Sequence, residues 1–123
     1  MGSKIMPSED GKYIILVVTG ELTGKKMMEY NLKAHSLGRE LGINRYLVDV
    51  TGSRNIDPPS SNYSFARYDL NTTPGIDIEA RIATIVSPGD KSHNSIEKVS
   101  RHSGLDVTHF TDRFQAINHL LKD

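Results

Sequence analysis

The chain contains no cysteine and no tryptophan, and only three phenylalanines. Without thiols there is no disulfide framework, no thiolate zinc site and no cysteine nucleophile. With so few aromatics there is little material for the stacking platforms on which bases or sugars bind. An excess of either charge is missing as well. Fifteen basic residues against fifteen acidic ones give a formal net charge of +0, so the basic surplus of a nucleic-acid binder is absent. Such a balance supplies no steering field and does not oppose self-association. No apolar run reaches the ~18 residues of a membrane helix, and the longest, Tyr13 to Val18, is strand-sized. The opening MGSKIMPSED has no apolar h-region. No secretory signal is therefore expected, and the expected location is cytoplasmic.

What is present reads as one domain covering residues 1–123, long enough to bury a core without covalent staples. Ile5-Met6 forms a short edge strand, and Asp10-Gly11 marks a tight turn. Tyr13 to Val18 does not alternate and so reads as a strand buried on both faces. Thr23 caps a helix running to about Leu41, with Met27, Tyr30, Ala34, Leu37 and Leu41 on its apolar face and Gly42 as the terminating glycine. Tyr46 to Val50 is the next strand. The loop after it carries Pro58 and Pro59, and Ser60 or Ser61 caps a second helix that ends near Asn71–Gly75. Ala80 to Val86 is a further strand, a third helix runs from about Lys91 to Ser103, and Val107 to Phe110 is the last strand. Thr111 then caps a closing helix with Phe114, Ile117, Leu120 and Leu121 inward. The order predicts a single-domain α/β sandwich: a mixed, mostly parallel sheet of about five strands, opened by an antiparallel hairpin and covered by about four helices.

Motifs for chemistry are scarce. Asp49 ends a strand, but the turn Thr19–Leu22 supplies at most one further carboxylate, so a receiver-type magnesium site cannot be assembled. His35, His93, His102, His109 and His119 show no zinc-helix spacing, and spread over separate elements they read mostly as surface or edge residues. Ser87-Pro88-Gly89-Asp90-Lys91-Ser92 lacks the upstream glycine of a phosphate loop and reads as a turn. There is no GxGxxG and no GxSxG. A hydrolase would have to pair groups such as Asp49 and His109, which spacing alone does not join. No cofactor and no metal is expected.

Four stretches resemble the SpoIIAA-like branch of the STAS superfamily, the sulfate-transporter and anti-sigma-factor-antagonist domains: GKYIILVVTGELTGKKM, RYLVDV after Leu41-Gly42, ARIATIV, and FTDRFQAINHLL. The resemblance implies a bacterial, non-enzymatic regulatory or binding module. In that family a serine at a helix start after the third strand is phosphorylated. Here Asp49-Val50-Thr51 and Asp57-Pro58-Pro59-Ser60-Ser61-Asn62 stand at that place, which makes Ser60 and Ser61 the candidate phosphoacceptors. Two prolines separate Asp57 from these serines and Asn62 stands where the family has glycine, and the serines serve equally as plain helix caps. The loops after Val18, Val50 and Val86 are expected to converge at the strand carboxyl ends, placing Glu21, Thr51, Ser53, Arg54 and Ser87 in a site for a protein partner or small ligand. The alternative is a carrier of a small apolar or lipid ligand like the Sec14-type domains, with a pocket of roughly several hundred cubic ångströms. The edge strand can also pair with a second copy of the chain, making a homodimer.

Overall fold

The computed structural model describes residues 2–56, 75, 77, 79–93 and 106–122. Their elements are β1 (Gly2–Pro7), β2 (Ile14–Leu22), α1 (Gly24–Leu41), β3 (Arg45–Asn55), β4 (Arg81–Ile85), β5 (Asp106–Phe110) and α2 (Arg113–Leu121). The strands form one sheet in the order β1-β2-β3-β4-β5. β1 runs antiparallel to β2, and every later pairing is parallel. The mixed five-stranded α/β sheet with its opening hairpin is thus as expected. Two helices lie among the described residues. The helix expected at Ser60 or Ser61, and most of the one expected from Lys91 to Ser103, fall outside them; at the described start of the latter, Lys91 is irregular and Ser92 and His93 form a turn.

The hairpin is set by one serine. Ser8 Oγ donates to Asp10 Oδ1 at 2.6 Å and accepts from the amides of Lys12 and Tyr13, while the Ser8 amide donates to the Tyr13 carbonyl. This closes the Asp10-Gly11 turn and starts the β1–β2 ladder.

Each face of the sheet has its own core. On one, Ile14, Leu16, Val18 and Leu22 of β2 meet Tyr46, Val48 and Val50 of β3, with Ala34, Met27, Tyr30 and Leu37 of α1 laid over them. On the other, Leu47, Ala83 and Ile85 pack against Ala116 and Leu120 of α2. Removing a large aliphatic side chain of this kind from water stabilises by about 1.5–3 kcal/mol. Contrary to the two-sided burial expected of Tyr13–Val18, β2 alternates: Ile14, Leu16 and Val18 are buried, Ile15 and Val17 only half-buried. α2 packs on β3, β4 and β5, which leaves the second face of β2 less covered.

α1 begins and ends as its sequence requires. Thr23 accepts from the Lys26 amide, and Gly42 adopts the left-handed conformation (φ 70°) in which its amide reaches the Arg39 and Gly38 carbonyls. Leu41, expected on the apolar face, is exposed, and Asn31, His35 and Gly38 are buried in α1. The expected face packs through Met27, Tyr30, Ala34 and Leu37, and Asn31, His35 and Gly38 widen it on one side, while Leu41 at the helix end is left out. The closing helix is capped by Asp112, whose carboxylate accepts the Phe114 amide, and not by Thr111. Phe114, expected inward, is 79% exposed, while Ile117 and Leu120 face the core as expected.

Candidate functional site

The largest departure from expectation lies at the strand ends. Thr19–Leu22 and Thr51–Asn55, read as loops, are strand: Thr19, Gly20, Glu21 and Leu22 pair with Gly52, Ser53, Arg54 and Asn55. Two residues of β3, Val50 and Thr51, stand opposite Val18 alone, so the register shifts there as in a β-bulge. β3 pairs with β4 only up to Asp49–Ile85. Beyond that point β4 drops out, β1 follows β2 as far as Thr19, and Gly20–Leu22 with Ser53–Asn55 continue as a two-stranded ribbon. A ribbon of two strands is weak alone, and side-chain hydroxyls of the turn after β4 take the place of the missing ladder. Ser87 Oγ donates to the Thr51 carbonyl at 3.0 Å, and Ser92 Oγ accepts the Asn55 amide at 3.2 Å. The turn is itself tied, with the Asp90 amide on the Ser87 carbonyl and the Ser92 amide on Asp90 Oδ1.

The five residues nominated for binding therefore share one end of the sheet in different situations. Glu21 and Arg54 are register partners on adjacent strands, both exposed. Thr51 is exposed, and its hydroxyl donates to Asp49 Oδ1 at 2.7 Å. Ser53 is buried, its hydroxyl donating to the Val50 carbonyl at the bulge. Ser87 is half-buried and committed to Thr51. Ser60 and Ser61 lie outside the described residues.

Several residues that spacing did not reveal complete the site. Asp49 Oδ1 also accepts the Thr51 amide, and Oδ2 lies 3.5 Å from Arg113 Nη1 at the start of α2. Asp49 is thus held by Thr51 and Arg113, and the next residue of α2 after Arg113 is the exposed Phe114. On the turn, hydrogen bonds from the Ser92 amide and hydroxyl hold the Asp90 carboxyl below its usual range, with His93 and Arg54 adding to the effect. His93 is only 4% exposed, with Nε2 3.8 Å from Asp90 Oδ2. Burial pushes its pKa down, against the opposing pull of Asp90 and the Ser53 backbone.

Two of the histidines depart from the mostly surface or edge reading: His35 is buried as well as His93, whereas His109 and His119 are half-buried. His35 stacks on Tyr46, and Nδ1 accepts the Asp77 amide at 2.9 Å. His119 lies 3.7 Å from Asp106, which also meets Arg81. Arg81 donates to the His119, Leu120 and Lys122 carbonyls and so closes the C-terminus of α2. Among the described residues no three His, Cys, Asp or Glu side chains form a group able to hold a metal ion. No described helix is long and apolar enough to cross a membrane.

No protein-family model matches the chain, and no curated protein matches it. Among solved structures it is similar to an uncharacterised protein of the DUF3478 family from Shewanella loihica PV-4, described as having a SpoIIAA-like fold. The match has a TM-score of 0.58 at 18% identity and covers 97% of this chain and 92% of the other. The likeness spans nearly the whole length of both and shows that the fold is SpoIIAA-like.

Proposed function

We propose that this SpoIIAA-like domain is a non-enzymatic regulatory or binding module that meets a protein partner at the carboxyl ends of β2 and β3. The observation that carries this reading is the ribbon Gly20–Leu22/Ser53–Asn55, which outruns the other described strands and presents the exposed, oppositely charged Glu21 and Arg54 side by side. Its inner residues, Leu22, Ser53 and Asn55, are buried, so the outer ones stand on a stiff support. Arginine and exposed aromatic groups carry much of the binding energy of protein interfaces, and Arg54, Arg113 and Phe114 offer both. The hydroxyls of Thr51, Ser53 and Ser87 each donate to a protein acceptor and so brace this end of the sheet. The partners expected are a protein or small ligand at this end and a second copy of the chain at β1. Bacterial cytoplasm is the expected setting.

The test uses tagged protein in lysate of its source organism, comparing the natural chain with Arg54→Glu, Glu21→Arg and Phe114→Ala. A partner retained by the natural chain and lost with Arg54→Glu or Phe114→Ala supports the reading. A partner held equally by all four overturns it. So does a stoichiometric lipid in solvent extracts of the purified protein, which instead identifies a Sec14-like carrier.

A further inference from the structure

We propose that two copies of this chain join through β1, antiparallel about a two-fold axis at Ile5, into one continuous sheet. This gives the self-association named above a definite geometry. It makes no use of the β2–β3 ribbon, so either proposal can fail without the other.

The outer edge of β1 follows from the hairpin register. The Ser8 amide donates to the Tyr13 carbonyl at 2.8 Å, and pairing continues unbroken to Gly2 opposite Thr19. An antiparallel ladder alternates between bonded and non-bonded pairs. Met6, Lys4 and Gly2 therefore direct their backbone groups to β2, while Pro7, Ile5 and Ser3 direct theirs away from it. Pro7 falls on the outward set, where its missing N–H costs the β1–β2 ladder nothing. Among the described residues no strand lies beyond β1. A row of unpaired N–H and C=O groups is a template for another strand.

A two-fold axis makes the pairing isologous and antiparallel, and the side chains then choose the register. With the axis at Ile5, the two Ile5 residues exchange N–H and C=O bonds, and each Ser3 N–H reaches the Pro7 carbonyl of the second copy. Lys4 then stands opposite Met6. With the axis at Lys4, the two ammonium groups would face each other in the closest cross-strand position, which is destabilising. With the axis at Met6, Ser3 has no partner and Pro7 offers no donor. With the axis at Ser3, Pro7 has no partner. The Ile5 register also covers what is now open. Ile5 packs into the α1-side core, so by alternation Lys4 and Met6 face the other way. Met6 is 40% exposed there beside half-buried Ile15, and the aliphatic stem of Lys4 from the second copy can lie over it.

Sedimentation velocity over a concentration series tests the assembly, with circular dichroism confirming that each variant is folded. A dimer is expected. Ser3→Pro removes an outward N–H and leaves the β2 ladder intact, and is expected to weaken the dimer by about tenfold. Met6→Glu, placed opposite Lys4, is expected to tighten it several-fold, and Met6→Lys to weaken it several-fold. The opposite responses at Met6 identify the register even if Ser3→Pro disturbs the strand. A natural chain that stays monomeric at its highest soluble concentration overturns the proposal. So does a dimer whose affinity ignores the charge at Met6.

Discussion

The imidazole of His35 lies flat on the phenol of Tyr46, ring centroids 4.4 Å apart and planes 18° from parallel. This contact joins α1 to β3 inside the larger core. It also reaches a third element, because His35 Nδ1 accepts the Asp77 amide. An acceptor nitrogen must be unprotonated, so the geometry requires the neutral ring. Burial imposes the same requirement and pushes the pKa down to about 4, with Asp77 opposing and Arg39 assisting.

A pH dependence with a defined sign follows. The unfolded chain takes up a proton on His35 near pH 6.5, while the folded chain resists until about pH 4. Stability is therefore full above pH 6.5 and falls as pH drops from there towards 4. The loss from this residue is at most about 3 kcal/mol. His93, also depressed by burial, acts in the same direction. Urea unfolding at pH 7.5 and pH 5 is expected to show the loss in the natural chain and a smaller loss in His35→Gln. Equal losses would remove His35 from the account.

Gly38 of α1 lies directly against Tyr46 of β3. A Cβ there would overlap the Tyr46 hydroxyl and lie 2.6 Å from the Ile43 carbonyl oxygen. The Tyr46 hydroxyl donates to that same carbonyl at 3.3 Å. Gly38→Ala, normally favourable in a helix, is expected to destabilise by about 1–3 kcal/mol through overpacking. Tyr46→Phe in the same chain removes one of the clashing atoms and is expected to recover part of the loss. A double-mutant cycle of denaturant midpoints measures the coupling, and strictly additive effects would refute it.

The Ser92 hydroxyl stands in for a strand partner of β3. Ser92→Ala leaves the Asn55 amide without this acceptor, at a cost of about 1 kcal/mol. Because the ribbon opens locally, amide exchange at Asn55 and its neighbours is expected to accelerate while exchange at Leu47 and Val48 in the sheet centre is unchanged. Uniform acceleration would mean that Ser92 acts on global stability only.

Local signals carried the elements whose causes are local. Thr23 and Gly42 bound α1 because capping needs only a hydroxyl and a left-handed residue at set offsets. Asp10-Gly11 marks the hairpin for the same reason. The error at Thr111 is one residue, since Asp112 offers the same kind of acceptor, whereas the exposure of Phe114 in the first turn of α2 depends on what packs beside it and not on local spacing.

The candidate site was legible as a place and not as an arrangement. Glu21, Thr51, Ser53, Arg54 and Ser87 do gather at the strand carboxyl ends. Their polarity made Thr19–Leu22 and Thr51–Asn55 look like loops, because half of each strand's side chains meet solvent and the bonds that hold the ribbon come from Ser87 and Ser92, more than thirty residues away. Nothing local announces a partner at that distance. The burial of His35 and His93 was hidden for a related reason: a histidine becomes a core residue only when its environment holds it neutral, as the Asp77 amide does for His35.

By itself the sequence determined the opening hairpin and the places of the described strands and of α1 and α2, the ends of α1, and the absence of thiol chemistry, all set by residue type and short-range spacing. The tertiary structure alone decided which face of each strand is buried, how far β2 and β3 run beyond their neighbours, and that Asp49 belongs to Arg113 and Thr51. These depend on contacts between residues distant in the chain. Their energies arise only when water is excluded and the partners are brought together.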